Sequence, residues 1–450
     1  MTAIVLAVLP LFVIAHANLG HLVFPDSHEY TLLRGLNPTT AAFWEQLFAG
    51  RPQTIPIFFW LVQEPATLDL VQEVLYFLSF AGLAAAGQAY ARTISGRILS
   101  FVLILVLMFH RDTLFWNHAE LSETLSLSLL NFSLAVVLLA IRRRLTSVPG
   151  PAQSAPRPAG GALAALFLFC WIPFQFCRDT HVYLTMGGVL IAVALLPWMR
   201  DRRQVITSWS WIGCVLILAV WLQNHNARNA GRQTIPLVNT IGMRVLVEDS
   251  YRLWFQERGL ILDASLVDEL KGKVYWQLEP AWKERLLPYV KAQGTSDYVR
   301  FMLFHPEYVA DIVAPALRDC LTTELVPGYA GSRGIPKVND LLSGVATPFF
   351  MTFGAVVFAL VVLSLFLFGA SRPVHASIVV AFVAFGISQV AIAALGDAIE
   401  IQRHGLVGSH LIRLSFLFAV SWTVDSLCRI AETATATTSS DSPGFKLSQR

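Results

Sequence analysis

The stretch RILSFVLILVLMFHRDTLFWNHAELSETLSLSLLNFSLAVVLLAIRRR (Arg97–Arg144) decides the fold of this chain. It holds two apolar runs, near 97–115 and 121–141, each close to the roughly 20 residues that cross a bilayer as a helix. Acids, histidines and an arginine lie between them in Phe109–Glu123, and a bare arginine cluster, Arg142–Arg144, follows. Plain positive loops are typical of the cytoplasmic side, whereas acids and bases mixed at the ends of spans indicate a functional site.

The same alternation extends over the whole chain. Apolar runs predict about ten spans, near 2–23, 68–91, 97–115, 121–141, 162–177, 181–199, 208–223, 345–369, 374–395 and 406–428. Lys and Arg in the short connections place both termini in the cytoplasm. The mixed groups PDSHEY (Pro25–Tyr30), CRDTHVY (Cys177–Tyr183) and GDAIEIQRH (Gly396–His404) then all fall on the outer side. The pattern predicts an all-α polytopic membrane protein.

The domain organisation follows from long polar segments between the spans. We expect an N-terminal transmembrane module over 1–222, whose first outer loop covers 24–67. A mainly helical extracytoplasmic domain over 223–344 precedes the last three spans in 345–430. The low-complexity tail 431–450 is predicted to be disordered and cytoplasmic.

Composition excludes several classes of function. Of 450 residues, 55% are hydrophobic and only 14% charged, against about 25% charged in soluble proteins. A net charge of +3 argues against a nucleic-acid binder. The five cysteines form no CxxC pair, which disfavours a zinc ribbon or redox site. There is no Walker A loop and no DxD pair, so we expect neither nucleotide hydrolysis nor a metal-held sugar nucleotide. No cofactor is required, and a divalent metal is an open question without supporting ligands.

The first candidate group follows the first span. Asp26 stands directly after Pro25, where a partly desolvated carboxylate can act as a general base, and Glu29 and Tyr30 lie close by. The alternative is that Asp26 caps a short helix that begins at Ser27, and both interpretations can hold together. For Arg51 the sequence leaves two interpretations open: contact with an anionic head group, or a turn that anchors the chain at the membrane interface.

Three further groups contribute candidate binding residues. In the second outer loop these are Arg111, Asp112, His118, Glu120 and Glu123. Glu120 and Glu123 are one helical turn apart and are expected to share a face. The alternative is an internally neutralised loop in which Arg111 pairs with Asp112 or Glu120.

The later candidates lie in two connections and in the neck of the large domain. Arg178 occupies a connection too short to be a spacer. Asp397, Glu400 and then Arg403 or His404 recur at helical spacing, so one helical face would carry them, unless this is an ordinary amphipathic turn. Arginine binds phosphate bidentately and stays charged, and Arg232 is a further phosphate candidate.

This layout resembles the GT-C superfamily of integral membrane glycosyltransferases. The resemblance rests on PDSHEY after the first span, the charged loop Arg111–Glu123 and the topology over residues 1–220. In many members the first-loop motif is an acid pair, whereas here Ser27 follows Asp26 and Glu29 stands three residues on. The resemblance implies transfer of a sugar from a polyprenyl-phosphate donor to a glycan, lipid or protein acceptor.

The resemblance also implies a division of roles. Asp26, with Glu29 beside it, is the expected general base in an inverting reaction. Arg403, Arg178 and Arg111 are the expected phosphate ligands. The expected location is a bacterial inner membrane, with the site facing the periplasm or exterior and in contact with membrane lipids.

Two other classes of function fit the same sequence. A polymerase or ligase of lipid-linked glycans also uses outer-face Arg and His beside a large outer loop. A transporter or assembly protein is a non-enzymatic alternative, but transporters often show duplicated halves and charges deep within spans. Here no repeat is visible and the charges cluster at span ends.

Overall fold

A computed structural model describes residues 2–17, 20–24, 26–146, 159–195, 202–322 and 373–440, which form helices and no strand. The first module contains α1 (Thr2–His16), α2 (Ser27–Thr31), α3 (Ala41–Ala49), α4 (Thr54–Leu61), α5 (Pro65–Gln88), α6 (Ile94–Leu107), α7 (Arg111–Phe115), α8 (Glu123–Thr146), α9 (Ala159–Gln175), α10 (His181–Leu195) and α11 (Arg202–Asn229). A domain of short helices follows: α12 (Thr234–Thr240), a π-helical turn (Ile241–Val245), α13 (Asp249–Gln256), α14 (Ala264–Leu270), a 3-10 turn (Tyr275–Gln277), α15 (Pro280–Tyr289), a second π-helical turn (Val290–Gly294), α16 (Thr295–Phe304) and α17 (Pro306–Thr322). The chain continues with α18 (Pro373–Gly396), α19 (Ile401–His404) and α20 (Leu406–Ser440).

Four helices in the described residues are long and apolar enough to cross a membrane, as expected of an all-helical membrane protein. They are Pro65–Gln88, Glu123–Arg143, Val374–Gly396 and Leu406–Thr433. Four other apolar helices are shorter: Ile4–His16, Ile94–Leu107, Gly161–Gln175 and His181–Val193. Each of these eight helices overlaps one predicted span, and α11 overlaps the span predicted at 208–223, so nine of the ten predicted positions are helical. The tenth, 345–369, lies outside the described residues.

Close helix packing joins the two ends of the chain into one bundle. The largest interfaces pair α5 with α8 and α18 with α20. At the second crossing, a Cβ added to Gly408 would lie 2.6 Å from the carbonyl oxygen of Gly386, and one added to Gly386 would lie 2.7 Å from that of Gly408. Small residues at such crossings let helix backbones approach closely, as is common between membrane helices.

The segment between α1 and α5 folds over one end of this bundle. This segment has a small apolar core of its own, formed by Leu33, Phe43 and Leu47. The backbone N–H of Thr54 donates to the carbonyl of Phe176, at 3.2 Å, in the α9–α10 connection. This contact places Arg51 and the start of α4 beside the CRDTHVY segment.

The 234–322 domain, which comprises α12 to α17, has a separate apolar core. Leu237, Ile241, Phe255 and Phe301 are buried in it, and Leu395 at the end of α18 packs against it. The boundary predicted between residues 222 and 223 falls inside α11, which ends at Asn229, and the first helix of this domain, α12, begins at Thr234. Similarly, α20 continues to Ser440, past the predicted start of the tail at 431, and residues 441–450 lie outside the described part of the chain.

Candidate functional site

Seven charged side chains from five separate segments meet at one end of the bundle. This carboxylate–arginine cluster consists of Asp26, Glu29, Arg51, Glu123, Arg178, Glu400 and Arg403. The sequence had singled out all seven residues, and the structure brings them together. What the fold adds is the order in which they pair and how deeply each one is buried.

The buried half of the cluster is built on Glu123, the first residue of α8. Its Oε1 accepts hydrogen bonds from Arg403 Nε and Arg178 Nη2, both at 2.6 Å. The side chains of Glu123 and Arg403 are only 1% and 3% exposed, and that of Arg178 is 14% exposed. Arg178 also donates to Ser122 Oγ at 2.9 Å. These charged hydrogen bonds fix two guanidinium groups beneath the surface.

The exposed half of the cluster centres on Asp26. Its Oδ2 lies 3.4 Å from Arg403 Nη1 and 3.5 Å from Arg51 Nη2, so one carboxylate bridges a buried and an accessible guanidinium. The Asp26 and Arg51 side chains are 39% and 30% exposed. Arg51 Nε also donates to Glu29 at 2.5 Å. A ligand that approaches from outside therefore meets Asp26, Glu29 and Arg51 before it meets Arg403.

The role of Asp26 as a helix cap is only partly realised. Helix α2 begins at Ser27 with Asp26 at the N-cap position, as the alternative interpretation predicted, and Glu29 lies in its first turn. However, the Asp26 side chain makes no capping hydrogen bond. Instead Ser27 Oγ accepts from the backbone N–H of Phe24, at 2.8 Å. The Asp26 carboxylate is thus directed to the arginines rather than to the helix.

The segment after α18 does not form the single helical face that its spacing predicted. Helix α18 ends at Gly396, and Glu400 adopts a left-handed backbone conformation with φ of 50° before α19 begins. This turn sends Glu400 and Arg403 to the cluster, where Glu400 Oε2 accepts from Arg403 Nη1 at 2.6 Å. Asp397 faces the 234–322 domain instead, so the prediction that it joins the same face was wrong.

Aromatic rings support the two arginines that flank Asp26. The Arg51 guanidinium carbon lies 5.2 Å from the centre of the Tyr30 ring, and that of Arg403 lies 5.9 Å from the centre of the Trp116 ring. Both rings are buried. Cation–π contacts of this kind favour a charged, immobile guanidinium.

The electrostatics of the cluster keep both of these arginines charged. Burial opposes the charge on Arg403, but Glu123 and Glu400 outweigh it and hold the pKa of Arg403 well above its usual value. The pKa of Arg51 is also raised, because Tyr30, Glu29 and Asp26 overcome its desolvation. Burial, together with the nearby arginines, lowers the pKa of His404 well below its usual value. The lowered pKa disfavours the charged form of His404, whose Nε2 lies 3.9 Å from Glu400 Oε2.

Arg232 is close to the cluster but is occupied by other partners. It holds both carboxylate oxygens of Asp179, at 2.8 and 3.1 Å, and donates to the carbonyl of Gly50 at 2.7 Å. The side chain is 11% exposed. Arg232 therefore ties the chain just after α11 to the α9–α10 connection and to the first loop.

Glu120 and His118, two other predicted residues of the second outer loop, lie in a different place. Glu120 Oε1 accepts from Arg34 at 2.7 Å and lies 3.4 Å from His21 Nε2. His118 Nε2 lies 2.6 Å from Glu73 on α5. The expectation that Glu120 and Glu123 share a helical face was wrong, because α8 starts only at Glu123 and the loop before it runs beside residue 22. Arg111 and Asp112 begin α7, but their side chains are not part of what the structure describes, so their predicted roles stay predictions.

Sequence reasoning missed several partners of the predicted residues. Arg34 lies just after the PDSHEY segment and Trp116 lies within Phe109–Glu123. Nothing in their spacing indicated that Arg34 pairs with Glu120 or that Trp116 packs against Arg403. Ser122 was equally inconspicuous. Within the described part of the chain, no group of three or more His, Cys, Asp or Glu side chains is arranged to hold a metal ion.

Comparison with known proteins gives no family for this chain. No family model matches it, and neither a curated protein nor a solved structure matches it. The functional interpretation therefore rests on the geometry of the cluster.

Proposed function

We propose that this protein is an integral membrane glycosyltransferase that moves a sugar from a polyprenyl-phosphate donor to an acceptor hydroxyl. The observation that carries the proposal is the half-exposed Asp26 carboxylate, held between the accessible Arg51 and the buried Arg403. Such a reaction needs a general base on one face of the anomeric carbon and a cation for the leaving phosphate on the other, and Asp26 and Arg51 are suited to these two roles. The proposal places the site on the extracytoplasmic side of a ten-span bacterial inner-membrane protein.

Arg51 is the proposed contact for the donor phosphate. It is the most accessible arginine of the cluster, and its present partners are Glu29 and Asp26. A phosphate that binds Arg51 replaces these carboxylates as its partner, since a phosphate and a guanidinium match each other's hydrogen-bonding geometry. Asp26 then keeps only Arg403 beside its Oδ2 and is available as a base.

The reaction then proceeds by inversion at the anomeric carbon. Asp26 takes the proton of the acceptor hydroxyl as that oxygen forms a bond to the anomeric carbon. The bond from this carbon to the phosphate oxygen breaks on the opposite face, and its electron pair leaves with the lipid phosphate. Arg51 stabilises the departing charge, so positioning and electrostatics supply most of the catalysis.

Arg403 and Arg178 have supporting roles in this proposal. Their guanidinium groups are fixed by Glu123, and Arg403 also holds Glu400. Buried and already paired, Arg403 is better suited to set the position of Asp26 than to receive a bulky lipid phosphate. This revises the order of phosphate ligands that the sequence suggested.

The test is an assay of purified protein in lipid nanodiscs with a panel of polyprenyl-phosphate sugars. Thermal stabilisation reports donor binding, and release of polyprenyl phosphate reports turnover. We expect Asp26→Asn to bind a donor without turnover, and Arg51→Ala to lose the stabilisation. Glu45→Gln, at an exposed acid on α3 of the same loop, is the matched control and should behave as the wild type.

Two results would contradict the proposal. Turnover that survives Asp26→Asn while Arg51→Ala abolishes it removes the proposed base and favours a ligase or polymerase of lipid-linked glycans. A folded wild-type protein that no donor stabilises removes the lipid-phosphate site itself.

A further inference from the structure

The end of α18 is held by hydrogen bonds from the 234–322 domain. Arg244 donates through Nη1 to the carbonyl of Ala394 and through Nη2 to that of Asp397, the latter at 3.1 Å. Tyr298 donates through its hydroxyl to the carbonyl of Leu395 at 2.9 Å. The last carbonyls of a helix have no partner within the helix, so these donors satisfy groups that must otherwise find water.

A side-chain contact extends this attachment to the segment that enters the cluster. Asn239 Nδ2 donates to Asp397 Oδ1 at 3.2 Å, and the backbone N–H of Ile399 donates to the same oxygen at 3.3 Å. Asn239 is itself fixed, because its Oδ1 accepts from the backbone N–H of Tyr275 at 2.8 Å. The conformation of 397–399 is thus set from inside the 234–322 domain.

The next residues along the chain belong to the carboxylate–arginine cluster. Glu400 follows immediately in its left-handed conformation, and Arg403 lies one turn further on, in α19. A left-handed conformation in a residue other than glycine costs energy and persists only where the surroundings hold it. The attachment of 394–399 supplies that restraint on one side, and the ion pairs of Arg403 supply it on the other.

Arg244 itself occupies an unusual piece of backbone. It lies in the π-helical turn Ile241–Val245, a rare element that is frequent at functional sites. Gly242 in this turn approaches the segment after α14 so closely that an added Cβ would lie 2.4 Å from the carbonyl oxygen of Lys273. The turn therefore depends on glycine at this position, and it directs Arg244 to the end of α18.

We infer that Asn239 and Arg244 are positioning residues of the proposed site. By holding residues 394–399, they place Glu400 and Arg403 against Asp26, and so couple the 234–322 domain to the reaction centre. The catalytic part of this inference rests on the proposed function, whereas the positional part does not.

Hydrogen exchange of the backbone amides in 396–405 measures the positional part directly. These amides are protected by the bonds from Asp397 N to Ala393 O, from His404 N to Glu400 O and from Gly405 N to Ile401 O. We expect Arg244→Ala and Asn239→Ala to raise exchange in this segment at least tenfold, with the rest of the bundle unchanged. Arg300→Ala, at an exposed arginine of the same domain, is the control and should leave exchange unchanged.

Donor turnover measures the catalytic part in the same preparations. We expect both variants to lower kcat tenfold or more while KM for the donor changes less than threefold, because Arg51 is untouched. Arg244→Lys keeps one donor and should recover part of kcat. Gly242→Ala, which displaces the π-helical turn, should resemble Arg244→Ala if it folds.

The outcomes separate the two proposals. Unchanged exchange at 396–405 in folded Arg244→Ala and Asn239→Ala protein overturns the inference, whatever the turnover. Raised exchange with full kcat also overturns it, because the segment then moves without effect on the reaction. A wild-type protein that is protected at 396–405 but releases no polyprenyl phosphate from any donor overturns the proposed function alone.

Discussion

Replacement of Glu123 by glutamine tests whether the buried ion pairs of Glu123 with Arg403 and Arg178 stabilise the folded protein. The substitution keeps the shape of the side chain and one of its acceptors but removes the charge that Arg403 and Arg178 share. Glu123 and Arg403 are almost completely buried, so water cannot replace the lost counter-charge. We therefore expect a large loss of stability.

The magnitude follows from the burial of the partners. Removal of one member of a buried ion pair costs about 3–5 kcal/mol, because the other charge is left without compensation. Arg403 keeps Glu400 and Asp26 as counter-charges, and glutamine keeps the Oε1 acceptor that both arginines use, so the lower end, about 3 kcal/mol, is expected for Glu123→Gln. Glu120 is the matched control, because it lies three positions before Glu123 and its carboxylate also pairs with an arginine. The Glu120 side chain is 6% exposed, but its partner Arg34 is 25% exposed, so water can compensate part of the lost charge and Glu120→Gln should cost less than Glu123→Gln.

The assay is reversible unfolding in mixed detergent micelles, with Arg178→Gln and the double variant included. Because Glu123 and Arg178 are in direct contact, the two changes should be non-additive by about 1–3 kcal/mol. The reasoning fails if Glu123→Gln costs no more than Glu120→Gln. It also fails if the double variant loses the simple sum of the two single losses.

Two other substitutions test separate parts of the structure. Burial raises the pKa of Asp397 to about 6, so its protonation stabilises the fold below the unfolded-state pKa, and that stability is lost as pH rises through 6. At pH 8, Asp397→Asn should thus raise the free energy of unfolding above that of the wild type by at most about 3 kcal/mol, and at pH 4 the two proteins should be nearly equal. Denaturant midpoints at both pH values measure this difference. An equal gain at pH 4 and pH 8 would refute the titration of Asp397. Gly408→Ala should lower the free energy of unfolding by about 1–3 kcal/mol, because the new Cβ clashes with the carbonyl oxygen of Gly386. Gly188→Ala in α10, where an added Cβ has nothing within 4 Å, should be neutral or slightly stabilising. Thermal unfolding of both glycine variants measures this, and equal melting temperatures for the two would contradict the packing argument.

Much of the candidate site could be proposed from the sequence because ionisable residues at the ends of apolar helices are costly unless they are paired or used. That rule selected Asp26, Glu29, Glu123, Arg178 and Arg403, and the structure places them within one cluster. It could not separate Glu120 from Glu123, which are only three positions apart in the chain. Local spacing predicts a shared face only where the chain is helical, and the loop before α8 is not.

The sequence by itself determined where the helices lie and which segments carry charge, because hydropathy and helix formation depend on neighbours within one segment. Only the tertiary structure decided which charges meet. Asp26 and Arg403 are 377 positions apart in the chain, and Glu123 and Arg403 are 280 apart. Such partners are chosen by the packing of α5, α8, α18 and α20 and by the left-handed turn at Glu400. Those contacts also determine that Arg403 is buried and Arg51 accessible, a difference that no local pattern encodes.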